Sequence, residues 1–186
     1  MQQIIDMLII KSKPKLFRGK PTNRKMFNFG TKYYDDSIPY YDVVPMALKD
    51  YFDIDNKYNN CFVNVYKNND LIGIHKDKIE NMDTTQNIIS VSIGVDKNGI
   101  IQDIKDLKLG WMEINNKKVN IYNKTKIYLD YDSPHRAKTK ISDDILYRIN
   151  FTFRVSKTLL KFRFQTRYDA CEGCNMLCED CESLLR

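Results

Sequence analysis

Histidine is scarce in this chain: only His75 and His135 occur in 186 residues. Any metal site built on two imidazoles must therefore use both. No apolar run approaches the roughly 20 residues that a bilayer-spanning helix needs. Residues 1–10 are apolar but carry neither a basic lead-in nor a small-residue cleavage site, so no secretory signal is expected there. Leucine and alanine give way to Ile, Asn, Lys, Asp and Tyr, the bias of an AT-rich genome, which discounts many lysines and asparagines as functional signals. A disulfide framework is not indicated either. Four of the five cysteines stand in CxxC pairs, a pattern that favours metal ligation in a reduced intracellular compartment, cytoplasm or nucleus. No serine or cysteine nucleophile is suggested.

What is present fits one domain with a short appendage, 42% hydrophobic and with a formal net charge of +6. That charge permits a polyanionic partner without requiring one. Residues 11–25 carry seven basic side chains and no acidic one, broken by Pro14, Gly19 and Pro21. They read as an irregular solvated segment, either a surface loop or a phosphate-contacting arm. Phe27, Phe29, Tyr33, Tyr34, Tyr40 and Tyr41 follow, as bases' stacking partners or as packing. A short helix or strand is expected over 1–10 and a surface helix over 44–52. Strands are expected over 61–66, 71–75, 88–93, 99–104, 111–114, 118–121, 126–130 and 147–155, separated by Asn, Asp, Gly and Lys turns. This pattern predicts a mainly β (α+β) antiparallel sandwich or jelly roll with flanking helical material.

Three segments carry chemistry. In an extended backbone residues two apart share a face, so His75 and Asp77 point the same way, and His135 is the one imidazole able to complete a two-histidine, one-carboxylate site. The third segment is RINFTFR, which sets Arg148, Asn150, Thr152 and Arg154 on one strand face. Two arginines on one face are either solvated or line an anion site, and each guanidinium is able to fork onto a carboxylate.

The ordered set of Asn64-Val65-Tyr66, His75-Lys76-Asp77, the strand 88–94, His135 and RINFTFR resembles the AlkB-type Fe(II)/2-oxoglutarate dioxygenases, over residues from about 21 to 155. The eleven residues from Asn64 to His75 also fit that family. The resemblance implies a double-stranded β-helix (jelly-roll) core under an N-terminal nucleotide-recognition lid at about 11–45, in a monomer. It implies that His75, Asp77 and His135 ligate Fe(II) and that Arg148 pairs the distal carboxylate of 2-oxoglutarate. Arg154 would stand near the metal-proximal carboxylate, and Asn64, Tyr66, Ser90 and Asn150 would add hydrogen bonds. The implied reaction consumes O2 and 2-oxoglutarate and demethylates an alkylated base in DNA or RNA, giving succinate, CO2 and formaldehyde. The target base would have to leave its stack, and Phe27, Phe29, Tyr33 and Tyr34 lie in the lid region that would receive it.

One departure concerns the base. Many members of the family carry an acid two positions after the metal aspartate, where this chain has Ile79, with Glu80 beside it. Either Glu80 takes over or base recognition differs. Two other readings remain: a hydroxylase of the same fold acting on a protein or small molecule, and a nucleic-acid-binding module with an inert barrel. Residues 1–155 would form the dioxygenase domain and 156–186 an extension. Within the extension, Cys171, Cys174, Cys178 and Cys181 suggest a structural zinc site, an iron–sulfur cluster or the stripe of a helix that Gly173 disfavours. Cys61, inside a strand, reads as a small buried hydrophobe.

Overall fold

A computed structural model describes residues 1–17, 20–31 and 37–157. The alternation seen in the sequence becomes two sheets, antiparallel except where the short strand Tyr40–Tyr41 runs parallel to its neighbour. The described elements are α1 (Gln2–Lys11), β1 (Lys13–Phe17), β2 (Lys20–Gly30), β3 (Tyr40–Tyr41), α2 (Met46–Phe52), β4 (Asn60–Tyr66), β5 (Leu71–His75) and β6 (Ile88–Asp96). They continue with β7 (Lys108–Ile114), β8 (Lys117–Tyr122), β9 (Lys126–Leu129), β10 (His135–Thr139) and β11 (Ile145–Arg154). The larger sheet runs β1-β2-β4-β11-β6-β9, with β3 beside β2, and the smaller runs β5-β10-β7-β8. From β4 to β11 the chain winds between the sheets in the order of a double-stranded β-helix, staying in one sheet only at the β7–β8 hairpin: β4, β11, β6 and β9 against β5, β10, β7 and β8. Among the described residues no helix is long and apolar enough to cross a membrane.

Every residue of β4 is buried, because its two faces serve two cores. Cys61, Val63 and Val65 pack with α1, α2, Phe27, Phe29 and Phe151 on the outer side of the large sheet. Phe62 turns the other way, joining Met112, Ile121 and Leu129 between the sheets. Asn64 and Tyr66 share that inner direction, so the same pleat that builds the core aims polar groups into the barrel.

Turn chemistry sets the hairpins. Asn115 and Asn116 take φ of 49° and 64°, the left-handed pair that a two-residue β7–β8 connection requires. The segment at 99–104 departs from the expected strand and makes a single bridge, Val95 to Ile101. Its carbonyls are taken instead by the Asn123 amide, whose Nδ2 donates to Gln102 O at 2.8 Å and Ile104 O at 3.1 Å. Residues 11–25 also depart from expectation. The described ones are not an irregular loop: Lys11 ends α1, and β1 pairs antiparallel with β2 to extend the large sheet, β2 lying along β4. The β4 backbone offers a ladder that overrides the local Pro and Gly signals.

Candidate metal centre

His75 ends β5 and His135 begins β10, directly opposite one another in the antiparallel register. Their ring centroids lie 4.4 Å apart. Asp77, just beyond β5, completes a cluster in which one ligand atom from each residue lies within 4.8 Å of the others. His75 Nδ1 is 2.8 Å from Gly73 O and His135 Nδ1 is 3.0 Å from Ser133 O. With these nitrogens donating to carbonyls, each ring keeps its Nε2 lone pair for the cluster. Burial holds His75 below the ordinary imidazole pKa, with the neighbouring His135 adding to the effect against the Gly73 carbonyl and Asp77. The neutral form is the one that ligates.

His135 Nε2 and Asp77 Oδ2 are 3.8 Å apart. Adjacent ligands of an ion with bonds of about 2.1 Å stand about 3.0 Å apart, so a small side-chain movement closes the triad. The donor set, two imidazoles and one carboxylate with a solvent-facing side, fits a non-haem iron.

The pocket around the triad is lined by three arginines, Arg24, Arg148 and Arg154, and by one carboxylate, Asp77. Arg154, 3% exposed, donates from Nη2 to Asp77 Oδ1 at 2.5 Å and orients that carboxylate. Arg148 is 2% exposed, its guanidinium 4.4 Å from the centroid of Tyr66. Its Nε and Nη1 have no hydrogen-bond partner among the described residues, nor has the buried Asn64 Oδ1. Burial pulls the Arg148 pKa down, opposed by Tyr66 and then Asp70, yet an arginine keeps its proton. Asn150 Nδ2 donates to Ser90 Oγ at 2.9 Å and Thr152 Oγ1 donates to Asn150 Oδ1 at 3.0 Å, fixing a polar wall. A buried cation with open donors, in a pocket holding three positive groups against one negative, suits an anionic ligand. A dicarboxylate fits this fork.

All nine residues expected to hold iron and 2-oxoglutarate thus line one pocket: His75, Asp77, His135, Asn64, Tyr66, Ser90, Arg148, Asn150 and Arg154. The base-stacking expectation is corrected for two rings. Phe27 and Phe29 are 1% and 0% exposed and pack beneath α1 and α2, because they occupy the face of β2 opposite the barrel. Glu80 is exposed and does not line the pocket. Tyr33, Tyr34, Cys171, Cys174, Cys178 and Cys181 lie outside the described residues. Arg24 was hidden in the basic run at 11–25. Its strand position, next but one to Met26, would have placed it on the barrel face had that segment been read as a strand.

No family model matches the chain, and no curated protein matches it. Among solved structures, it is similar to a prolyl hydroxylase from Trichoplax adhaerens in complex with a hypoxia-inducible-factor oxygen-degradation-domain peptide. That match has 17% identity and a TM-score of 0.39, covering 83% of this chain and 76% of that one. A predicted oxalate decarboxylase from Thermotoga maritima matches with 14% identity and a TM-score of 0.38, covering 77% and 94%. A conserved protein of unknown function from Streptococcus pyogenes matches with 11% identity and a TM-score of 0.35. That match covers 54% of this chain and 66%, just under two thirds, of its own length. The double-stranded β-helix assignment rests on the strand order described above.

Proposed function

We propose that the chain is an Fe(II)/2-oxoglutarate-dependent dioxygenase that removes methyl groups from bases of nucleic acid. The observation that carries the reading is Arg148, fully buried with open donors in the same pocket as the His75–Asp77–His135 cluster. His75, Asp77 and His135 hold the iron. Arg148 receives the distal carboxylate of 2-oxoglutarate, with Asn64 and Tyr66 beside it on β4. Arg154 pairs with Asp77 Oδ1 and leaves Oδ2 on the side of His135, so one arginine serves the metal and the other the co-substrate. Bound together, Fe(II), 2-oxoglutarate and O2 supply the oxidation of a methyl group, with succinate and CO2 as co-products. The net positive pocket and Arg24 favour a phosphate-bearing substrate over a neutral one.

The test uses protein purified without oxygen and then given Fe(II), 2-oxoglutarate and methylated single-stranded oligonucleotides. Succinate and formaldehyde are expected, and both disappear in His75→Ala and in Asp77→Ala. Succinate without formaldehyde moves the substrate away from methylated bases. Protein that binds neither iron nor 2-oxoglutarate overturns the dioxygenase reading.

A further inference from the structure

The two sheets differ in what covers their outer faces. The large sheet is covered by α1 and α2, which bury Ile4, Ile5, Leu8, Leu48 and Phe52 against it. Among the described residues nothing equivalent covers the small sheet. Its inner positions are Ile72, His75, Met112, His135 and Ala137, so the alternating positions face outward. One outward row runs Leu71–Lys138–Trp111–Asn120 across four strands, and the next pairs Arg136 with Glu113 and Glu113 with Lys118. A bulge in β5 opposite Arg136 leaves Ile74 in solvent, 66% exposed, with Leu71 at 58%.

This face is neither randomly polar nor simply apolar. Trp111, the single tryptophan of the chain, is half-buried at its centre. Lys118 Nζ stands 4.8 Å and the Arg136 guanidinium 5.8 Å from its ring. Lys118, Arg136 and Lys138 oppose the one carboxylate of Glu113, leaving the face two charges positive. A half-exposed aromatic ring with two long cationic side chains over it can exchange them for a stacked base, the cations passing to its flanking phosphates.

We propose that the outer face of the small sheet, centred on Trp111, is a platform for single-stranded nucleic acid. A base stacks on Trp111 while Lys118 and Lys138 meet flanking phosphates. As a statement about a substrate strand, this rests on the nucleic-acid reading above. The geometry connects the two sites: β5 is the edge of this sheet and carries His75, and Trp111 lies two strands from it, about 10 Å at the usual strand spacing. A strand lying on the platform therefore reaches the sheet edge at the metal-bearing strand.

The test is a titration of the intact chain with an unmethylated oligothymidylate of about 12 nucleotides, a length within the range of stacking platforms, followed by Trp111 emission. Saturable quenching that weakens with salt is expected. The double variant Lys118→Glu/Lys138→Glu should bind about tenfold or more weakly, and its log K against log salt should flatten by about 1.4 for two lost phosphate contacts. Trp111→Ala, followed by anisotropy of a labelled oligomer, should also lose about tenfold, the worth of one stacked base. The same variants should release formaldehyde from a methylated mononucleotide as the unaltered chain does. If the unaltered chain releases none, the dioxygenase reading fails while the titration still decides the platform. Oligonucleotide affinity unchanged in both variants overturns the platform. So does sedimentation showing a dimer that the double variant splits without loss of oligonucleotide binding, since the face would then belong to a second copy.

Discussion

At Arg148 a full charge sits 2% exposed, with Nε and Nη1 lacking partners among the described residues. Such a group weakens the ligand-free fold and strengthens the ligand complex, so its replacement should act with opposite signs on the two. Arg148→Met keeps a long side chain against Tyr66. The free protein is expected to melt at the same temperature or higher, while 2-oxoglutarate binds about 30-fold more weakly, the worth of a charge-assisted contact of about 2 kcal/mol. Calorimetric titration and a melting curve on one sample decide it, and a large fall in melting temperature would mark Arg148 as structural. Cys61 is the opposite kind of buried group, 0% exposed and inert. Burial pushes its thiol far above the usual range, against weaker opposing effects of Arg154 and the Thr152 backbone. The unfolded chain ionises this thiol near pH 8.5 while the native chain keeps it protonated. Its contribution to stability is therefore full below that pH and declines as pH rises toward the folded value. Peptide mapping after iodoacetamide at about pH 8.5, the ordinary thiol pKa, should find Cys61 unmodified until denaturant is added. Modification of native protein at the unfolded rate would contradict the burial.

Among the elements, the loop between β9 and β10 shows how the chain holds His135, the proposed metal ligand, in place. Asp130 Oδ1 accepts from Ser133 N at 2.6 Å and its Oδ2 accepts from Ser133 Oγ at 2.9 Å. The Ser133 hydroxyl, more than any other neighbour, holds the Asp130 carboxyl below its ordinary pKa. Asn115 Nδ2 donates to the same hydroxyl at 2.9 Å, tying the loop to the β7–β8 turn. Ser133 O in turn faces His135 Nδ1, so the loop sets the ring that faces Asp77. Ser133→Ala and Asp130→Ala keep the Ser133 carbonyl but release the loop that aims it, so each should lower iron affinity by up to about tenfold, the low end of what a direct outer partner is worth, with circular dichroism unchanged. Competition with a coloured chelator reads this directly, and unchanged affinity in both variants would free His135 from the loop. Much at this scale was legible beforehand. The period of two placed Arg148, Asn150, Thr152 and Arg154 together, and β5 occurs at its expected residues. Strand β2 was not legible, since Met26, Phe27, Asn28 and Phe29 are all buried and two-sided burial erases the alternation. Strand β10 was missed for the converse reason: Arg136 and Lys138 face outward and His135 inward, so HRAKT looks polar throughout. Arg24 was obscured by its basic neighbours, because charge density alone does not say which side of a strand a residue takes.

Taken as a whole, the molecule separates support from chemistry by placing them on opposite sides of one sheet. Helix α1 buries Ile4, Ile5 and Leu8 on the outside of β4, β11 and β6, while the polar pocket lies on the inside of the same strands. Each of these strands carries apolar residues outward and Asn64, Ser90 or Asn150 inward. A defect under the helix should therefore weaken the fold without altering the pocket's groups. Leu8 is 0% exposed, and Leu8→Ala removes its buried methyl groups from the core cluster that also holds Phe27 and Phe29. The cost of such a truncation is about 3 kcal/mol, which lowers the melting temperature of a chain of this size by roughly 6–12 °C. Iron and 2-oxoglutarate affinities measured well below the transition should match those of the unaltered chain, since distant sites without shared partners act independently. A parallel loss of ligand affinity would mean that the large sheet transmits packing changes through its thickness. In that case α1 would be part of the site's preorganisation as well as its cover.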